Sequence, residues 1–104
     1  MRYNRLLMIA VVMSVLAFSS TALAEEDGRS IFQEYCVMCH GSGMPEVPQF
    51  GNRDHWEVPI AKGKEALYYS AIEGYNAMPP KGLCEQCSNA QIKAAVDYMI
   101  SGSR

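Results

Sequence analysis

Two cysteines and a histidine stand within five residues, in the run Cys36-Val37-Met38-Cys39-His40. Cys-x-x-Cys-His is the attachment motif of a c-type haem. Residues three and four apart share one face of a helix, so both thiols and the imidazole can address one planar ligand. We therefore expect Cys36 and Cys39 to bond one haem c covalently and His40 to be an axial ligand of its iron.

The opposite axial position needs a second donor, unless it is left open. The methionines and the histidine that could supply it are Met38, Met44, Met78, Met99 and His55. Met38 and Met44 are too close to His40 in the chain to reach the other face of the haem. Met99 belongs to an apolar helical stripe, where methionine usually packs in a core.

Met78 and His55 remain as candidates, and Met78 is favoured. Pro79 pushes Met78 toward an extended backbone, and Pro80 stiffens the chain after it. A thioether on a rigid segment suits a stable bond to iron. His55 is expected to be an exposed loop histidine.

The first residues of the chain have the pattern of a cleaved secretory signal. Two arginines precede an apolar run at 6–18 that one serine interrupts, and Ala22-Leu23-Ala24 is a small-x-small cleavage site. Such a run is too short for a spanning helix, which needs about 20 residues. We expect residues 1–24 to be removed and residues 25–104 to be exported, into a periplasm, without stable insertion in a membrane.

The exported segment is small and acidic. All 11 acidic residues of the chain lie in it, against seven of the nine basic ones, so its formal charge is −4. A nucleic-acid-binding domain would need clustered positive charge, and that class is therefore excluded. A domain of this size buries only about 60% of its unfolded surface, so a haem would complete its core.

A second cysteine pair, Cys84 and Cys87, repeats the spacing of the first but is followed by Ser88. Because exported thiols are normally oxidised, we expect a disulfide between them. A thioredoxin-like redox motif would need a βαβ pattern, which the sequence lacks. A zinc site shared with Cys36 and Cys39 would have an unusually long gap between its two pairs.

Three helices are predicted. The first begins near Asp27, an N-cap residue, and continues into the haem motif. The second covers residues 64–73 and ends at Gly74. The third begins at Ser88 with a capping box, and its apolar stripe is Ile92, Ala95, Val96, Met99 and Ile100. Residues 41–63 are predicted to be a long loop around the cofactor.

Three motifs together resemble the class I cytochromes c, in particular the cytochrome c5 group. They are Cys36-Val37-Met38-Cys39-His40, Met78-Pro79-Pro80-Lys81-Gly82, and Cys84-Glu85-Gln86-Cys87 before an amphipathic helix. The resemblance spans nearly all of residues 27–102. It implies an all-α fold, the small cytochrome c fold of three to four short helices around one covalent haem, with His40 and Met78 as ligands of a low-spin iron.

The resemblance also implies contacts around the haem. The first and last helices are expected to cross, with Gly28 and Phe32 packing near Tyr98. The carbonyl of Pro48, or of nearby Pro45, is expected to accept a hydrogen bond from the free nitrogen of the proximal histidine. Trp56 is expected either at the haem edge or as an ordinary core aromatic, and the sequence does not separate these two roles.

Two classes of function follow. In the first, the protein is not an enzyme but a one-electron carrier that docks briefly with redox proteins such as a dehydrogenase, oxidase or reductase. In the second, it is a haem subunit, sensor or peroxidase-type protein with a displaceable sixth ligand. A methionine bound at the iron would distinguish the two. The exposed haem edge is expected among Met38, Met44, Tyr75 and Ala77.

Overall fold

The computed structural model describes residues 27–104, and the predicted signal at residues 1–24 lies outside them. Within the described part the chain forms four helices and no strand. They are α1 (residues 27–40), α2 (Arg53–Ala61), α3 (Lys64–Glu73) and α4 (Asn89–Gly102). The predicted all-α fold of three to four short helices is confirmed. None of the helices in this part is long and apolar enough to cross a membrane.

Helix α1 changes its winding just where the haem motif begins. A π-helical turn at Phe32–Cys36 is followed by an α-helical turn at Val37–His40. Such wider turns are frequent at functional sites, because they redirect the side chains that follow. Asp27 is already helical, so it is not the N-cap that the sequence predicted.

The first and last helices cross at a glycine, as expected. A Cβ on Gly28 would overlap the backbone carbonyl of Ala94 in α4 and lie 2.8 Å from its carbon. Beside the crossing, the rings of Phe32 and Tyr98 pack with centroids 5.5 Å apart. Phe50 completes this aromatic group, at 4.8 Å from Phe32 and 5.1 Å from Tyr98.

Helix α2 occupies much of the region that was predicted to be a loop, so that prediction is wrong for Arg53–Ala61. The helix begins because the side chain of Asn52 accepts a hydrogen bond from the His55 amide at 3.1 Å. Trp56 is buried and Ile60 packs against the core. Pro59 lies inside the helix, where it removes one backbone donor.

Helices α3 and α4 begin and end close to their predicted positions. Ser88 and Gln91 form both hydrogen bonds of the predicted capping box, at 3.1 and 2.8 Å. The two helices pack together around the main core cluster. Its buried residues are Ile31, Ala71, Cys84, Cys87, Ile92, Ala95, Val96 and Ile100. At their polar edge, the Tyr68 hydroxyl donates to Asp97.

Candidate haem site

The three residues of the attachment motif lie at the end of α1. Cys36 ends the π-helical turn, and Cys39 and His40 follow on the last turn of the helix. Both thiols are free and half-buried. Cys36 packs against the main core cluster and against a second core cluster, formed by Phe32, Trp56 and Met99. Burial, followed by the neighbouring Cys39, raises the pKa of its thiol to about 11.

The imidazole of His40 is oriented by the backbone of the following loop. Its Nδ1 atom lies 2.8 Å from the carbonyl oxygen of Pro48, which confirms the expected partner. Since a carbonyl can only accept, Nδ1 carries the proton and Nε2 is left as the donor for a metal. Burial lowers the pKa of His40, against the effect of the hydrogen bond to Pro48, and so favours the neutral ring that binds iron.

The aromatic neighbour of His40 is Trp56. The two rings stack with centroids 6.0 Å apart. The indole is buried and donates its Nε1 hydrogen to the carbonyl of Gln49 at 3.0 Å. Trp56 is therefore a core residue that also borders the candidate ligand. Its expected place at the haem edge stays a prediction.

Met78 lies at the end of a tight turn that follows α3. Its backbone exchanges both hydrogen bonds with Tyr75, at 3.0 and 2.9 Å. Asn76 inside the turn has a φ of 51°, in the left-handed region that asparagine tolerates. The Met78 side chain is half-buried and packs on the main core cluster. Cys36 packs on the same cluster, although 42 residues separate the two in the chain.

The segment after Met78 is tied to the rest of the fold through Lys81. Its backbone N–H donates to the carbonyl of Ala71 in α3 at 2.9 Å. Its ammonium donates to the carbonyl of Cys87 at 2.7 Å. The Met78 segment is thus fixed both to the end of α3 and to the chain that leads into α4.

Cys84 and Cys87 are joined as a disulfide with Cα atoms 5.4 Å apart. They are only 1% and 5% exposed, so their sulfurs are closed to attack by another protein's thiolate. Residues 27–104 contain no cluster of three or more side chains that could hold a metal ion. The zinc and thioredoxin-like alternatives therefore find no support in the geometry.

The structure gives the other candidate iron ligands different surroundings from those of Met78. His55 is exposed in the first turn of α2, and its Nδ1 atom accepts a hydrogen bond from the Gln49 amide at 3.2 Å. Met99 is buried in the second core cluster, as the apolar stripe predicted. Met38, Met44 and Tyr75 are exposed, and so is Ala77.

These residues fit a covalently bound haem. Two free thiols stand on one helical face, and a neutral imidazole beside them has its Nδ1 atom occupied and its Nε2 atom available. A thioether on a braced turn packs on the same core cluster as the first thiol. Soft sulfur and imidazole nitrogen are both donors that haem iron accepts.

Comparison with known proteins agrees with this chemistry. A family model described as cytochrome c oxidase, cbb3-type, subunit III matches residues 23–99. Cytochrome c5 of Azotobacter vinelandii is 39% identical over 74 residues, which is 69% of this chain and 89% of the relative. The chain belongs to the class I cytochromes c, in the cytochrome c5 group. Cytochrome c-555 of Chlorobaculum thiosulfatiphilum is 35% identical over 81 residues, covering 74% and 94% of the two chains.

A solved structure shares the fold. It is a chain from a crystal structure of an electron transfer complex of nitrite reductase with cytochrome c. The likeness has a TM-score of 0.70 at 35% identity and covers 75% of this chain and 95% of the other. Proteins of this cytochrome family carry one covalently bound haem c and are electron carriers, not enzymes.

Sequence reasoning missed two residues of the site, Gln49 and Lys81. Both bind backbone carbonyls, which carry no residue-specific signal, so neither belongs to a ligand motif. Lys81 stands within the Met78-Pro79-Pro80-Lys81-Gly82 motif, but nothing in that motif reveals its partner at Cys87. For Gln49 the sequence carried no signal.

Proposed function

We propose that this protein is a periplasmic one-electron carrier whose single haem iron is held by His40 and Met78. The observation that carries the proposal is the pair of backbone hydrogen bonds between Tyr75 and Met78, at 3.0 and 2.9 Å. This pairing braces the thioether on a turn that packs on the same cluster as Cys36. A braced sulfur keeps the sixth position closed in both oxidation states.

Each residue has a distinct role in this proposal. The haem, when bound, supplies an iron that accepts and releases one electron. Cys36 and Cys39 tether it so that a small domain does not lose it. The neutral imidazole of His40 donates through Nε2, since its Nδ1 hydrogen is held by Pro48. Met78 sulfur stabilises the reduced iron and so raises the reduction potential.

The proposed location rests on the first 24 residues and on the second cysteine pair. Export through a cleaved signal would place the chain in an oxidising compartment, where a disulfide between Cys84 and Cys87 forms and persists. Covalent haem attachment suits the same compartment, because it prevents loss of the cofactor from a small exported protein.

The proposed partners are redox proteins, and one solved relative is described in complex with nitrite reductase. Met38, Met44 and Tyr75 are 63%, 44% and 54% exposed. Together with Ala77 they supply apolar surface next to the proposed haem attachment and ligand residues. A small apolar contact with a polar rim suits a brief encounter.

The optical spectrum of the purified holoprotein tests the ligand assignment. We expect a low-spin spectrum with the charge-transfer absorption of a methionine bound to ferric iron, and no ready binding of CO to the reduced protein. Met78→Ala should lose that absorption and bind CO. Met44→Ala is the matched control, since it removes an exposed methionine and should change neither property. Ready CO binding by the wild type would contradict the carrier function.

Mass spectrometry of the denatured protein tests the attachment. The wild type should carry one haem per chain. Replacing Cys36 and Cys39 by alanine should remove it, whereas replacing Cys84 and Cys87 should leave it in place. A haem that stays on the first double variant would overturn the assignment of the attachment motif.

A further inference from the structure

The peptide unit between Pro48 and Gln49 forms hydrogen bonds with two different imidazoles, one at its carbonyl and one at its N–H. The carbonyl oxygen of this peptide unit accepts from His40 Nδ1 at 2.8 Å, and its N–H donates to His55 Nδ1 at 3.2 Å. Because a peptide unit is planar, orienting its N–H also orients its C=O. The position of this one unit therefore sets the hydrogen bond that orients the proposed iron ligand.

The side-chain amide of Gln49 anchors the same unit to the haem attachment motif. Its Oε1 atom accepts from the backbone N–H of Gly43 at 2.7 Å. Its Nε2 atom faces three backbone carbonyls, those of Cys39 at 2.9 Å, Val47 at 3.1 Å and Met44 at 3.4 Å. Only a group with both a donor end and an acceptor end satisfies this arrangement, and the partners determine which end is which.

The main chain of Gln49 is fixed as well. Its carbonyl accepts from the indole of buried Trp56 at 3.0 Å. The next residue, Phe50, donates its backbone N–H to the carbonyl of His40 at 2.7 Å. The loop from Gly41 to Asn52 contains no helix of its own, so its shape depends on hydrogen bonds such as these through and beside Gln49.

We propose that Gln49 is a positioning residue for the proximal histidine, holding the Pro48 carbonyl against His40 Nδ1 through its bond to the Cys39 carbonyl. This inference rests on the proposed function, in which His40 binds the iron. A firmly held hydrogen bond at Nδ1 makes the imidazole a stronger donor and fixes its plane. Gln49 thereby acts on the iron without touching it.

The test compares the holoproteins of the wild type, Gln49→Met and Gln49→Glu. Methionine keeps the approximate volume and removes both polar ends. Glutamate keeps the acceptor for Gly43 but replaces the donor with an oxygen that faces three carbonyls. Gln33→Met is the matched control, because it changes an exposed glutamine of α1. If the methionine variant fails to fold, the isosteric glutamate variant decides.

The first readout is hydrogen exchange at the His40 ring N–H, measured by NMR in the reduced protein. We expect both Gln49 variants to exchange about tenfold faster or more, the loss of one hydrogen bond of protection, and Gln33→Met to match the wild type. The second readout is the reduction potential of Gln49→Met, which should rise because a less basic imidazole stabilises ferric iron less.

Two results would overturn the role of Gln49. One is wild-type exchange at His40 in both Gln49 variants. The other is faster exchange that appears equally at the backbone amides of α3, since that would be general destabilisation. Failure of the proposed function looks different, because a wild-type spectrum without an iron-bound imidazole would show it before any variant is made.

Discussion

The backbone groups of Tyr75 and Met78 bond to each other twice, with N···O distances of 3.0 and 2.9 Å, around a turn of two residues. Gly74 enters this turn with a φ of 90°. A Cβ at that position would lie 2.9 Å from the Met78 carbonyl oxygen and 3.1 Å from the Pro80 nitrogen. The turn that presents the proposed sulfur ligand therefore depends on a glycine before it.

Gly74→Ala is predicted to weaken the bond between Met78 and iron. The new methyl group must displace the Met78 carbonyl, in addition to the cost of about 1–3 kcal/mol for a strained backbone. The charge-transfer absorption of the ferric protein and CO binding by the reduced protein measure the effect. Gly63→Ala is the control, because its φ is 96° but no atom lies within 4 Å of its Cβ. Equal spectral changes in both variants would contradict the prediction.

Gly28→Ala is predicted to destabilise the holoprotein by about 1–3 kcal/mol, the usual cost of overpacking. The added Cβ would overlap the Ala94 carbonyl, which is backbone and cannot rotate away. Denaturation by guanidinium, followed by tryptophan fluorescence or haem absorbance, measures the change. Ser30→Ala, at an exposed position of the same helix, should stay within about 0.5 kcal/mol of the wild type. A Gly28 variant as stable as that control would contradict the prediction, because it would show that α1 can shift away from α4 at little cost in stability.

The parts of the site that the sequence predicted are those with local signatures. Cys36 and His40 share a fixed motif spacing, and the capping box at Ser88 depends on residues only three apart. Helix α2 was missed because Pro59 counts against a helix in the sequence and because its burial depends mainly on one residue, Trp56. That burial comes from packing against α1 and α4, which short-range periodicity does not reveal.

The remaining misses have no local sequence signature. The π-helical turn at Phe32–Cys36 has no sequence signature of its own. Gln49 binds backbone carbonyls, which every residue possesses, so its partners follow only from the folded path of the loop. The partner of His40 at Pro48 was expected from the family resemblance and not from the residues themselves.

Tyr68→Phe is predicted to lower stability at neutral pH by about 0.5–1 kcal/mol, the value of a partly exposed hydrogen bond to a carboxylate. Burial, followed by the hydrogen bond to Asp97, raises the pKa of Tyr68 in the folded protein. A raised folded pKa means that this contribution is complete below pH of about 10, the unfolded value, and is lost as the pH rises above it.

The stability difference between the wild type and Tyr68→Phe should therefore be constant from pH 7 to about 9 and shrink above about 10. Denaturation at a series of pH values measures it. Tyr69→Phe is the matched control, because Tyr69 is the next residue and is 70% exposed. A difference that grows with pH would mean that the hydroxyl stabilises the fold as the phenolate, contrary to the burial and the charge of Asp97.

Replacing both Cys84 and Cys87 by alanine is predicted to cost about 2 kcal/mol, the chain-entropy estimate for so short a loop. The covalent haem should persist, because its proposed attachment is through Cys36 and Cys39. The fold should persist as well, because the ammonium of Lys81 can still bond the backbone carbonyl at position 87. The methionine charge-transfer absorption should likewise remain. Adding Lys81→Met to the double variant should then weaken that absorption, since the side-chain hydrogen bond between the Met78 segment and the chain leading into α4 is also gone. Lys93→Met, which removes the same charge from the exposed face of α4, is the control and should leave the absorption unchanged. Loss of the absorption in the cysteine double variant alone would assign the bracing of Met78 to the disulfide and not to Lys81.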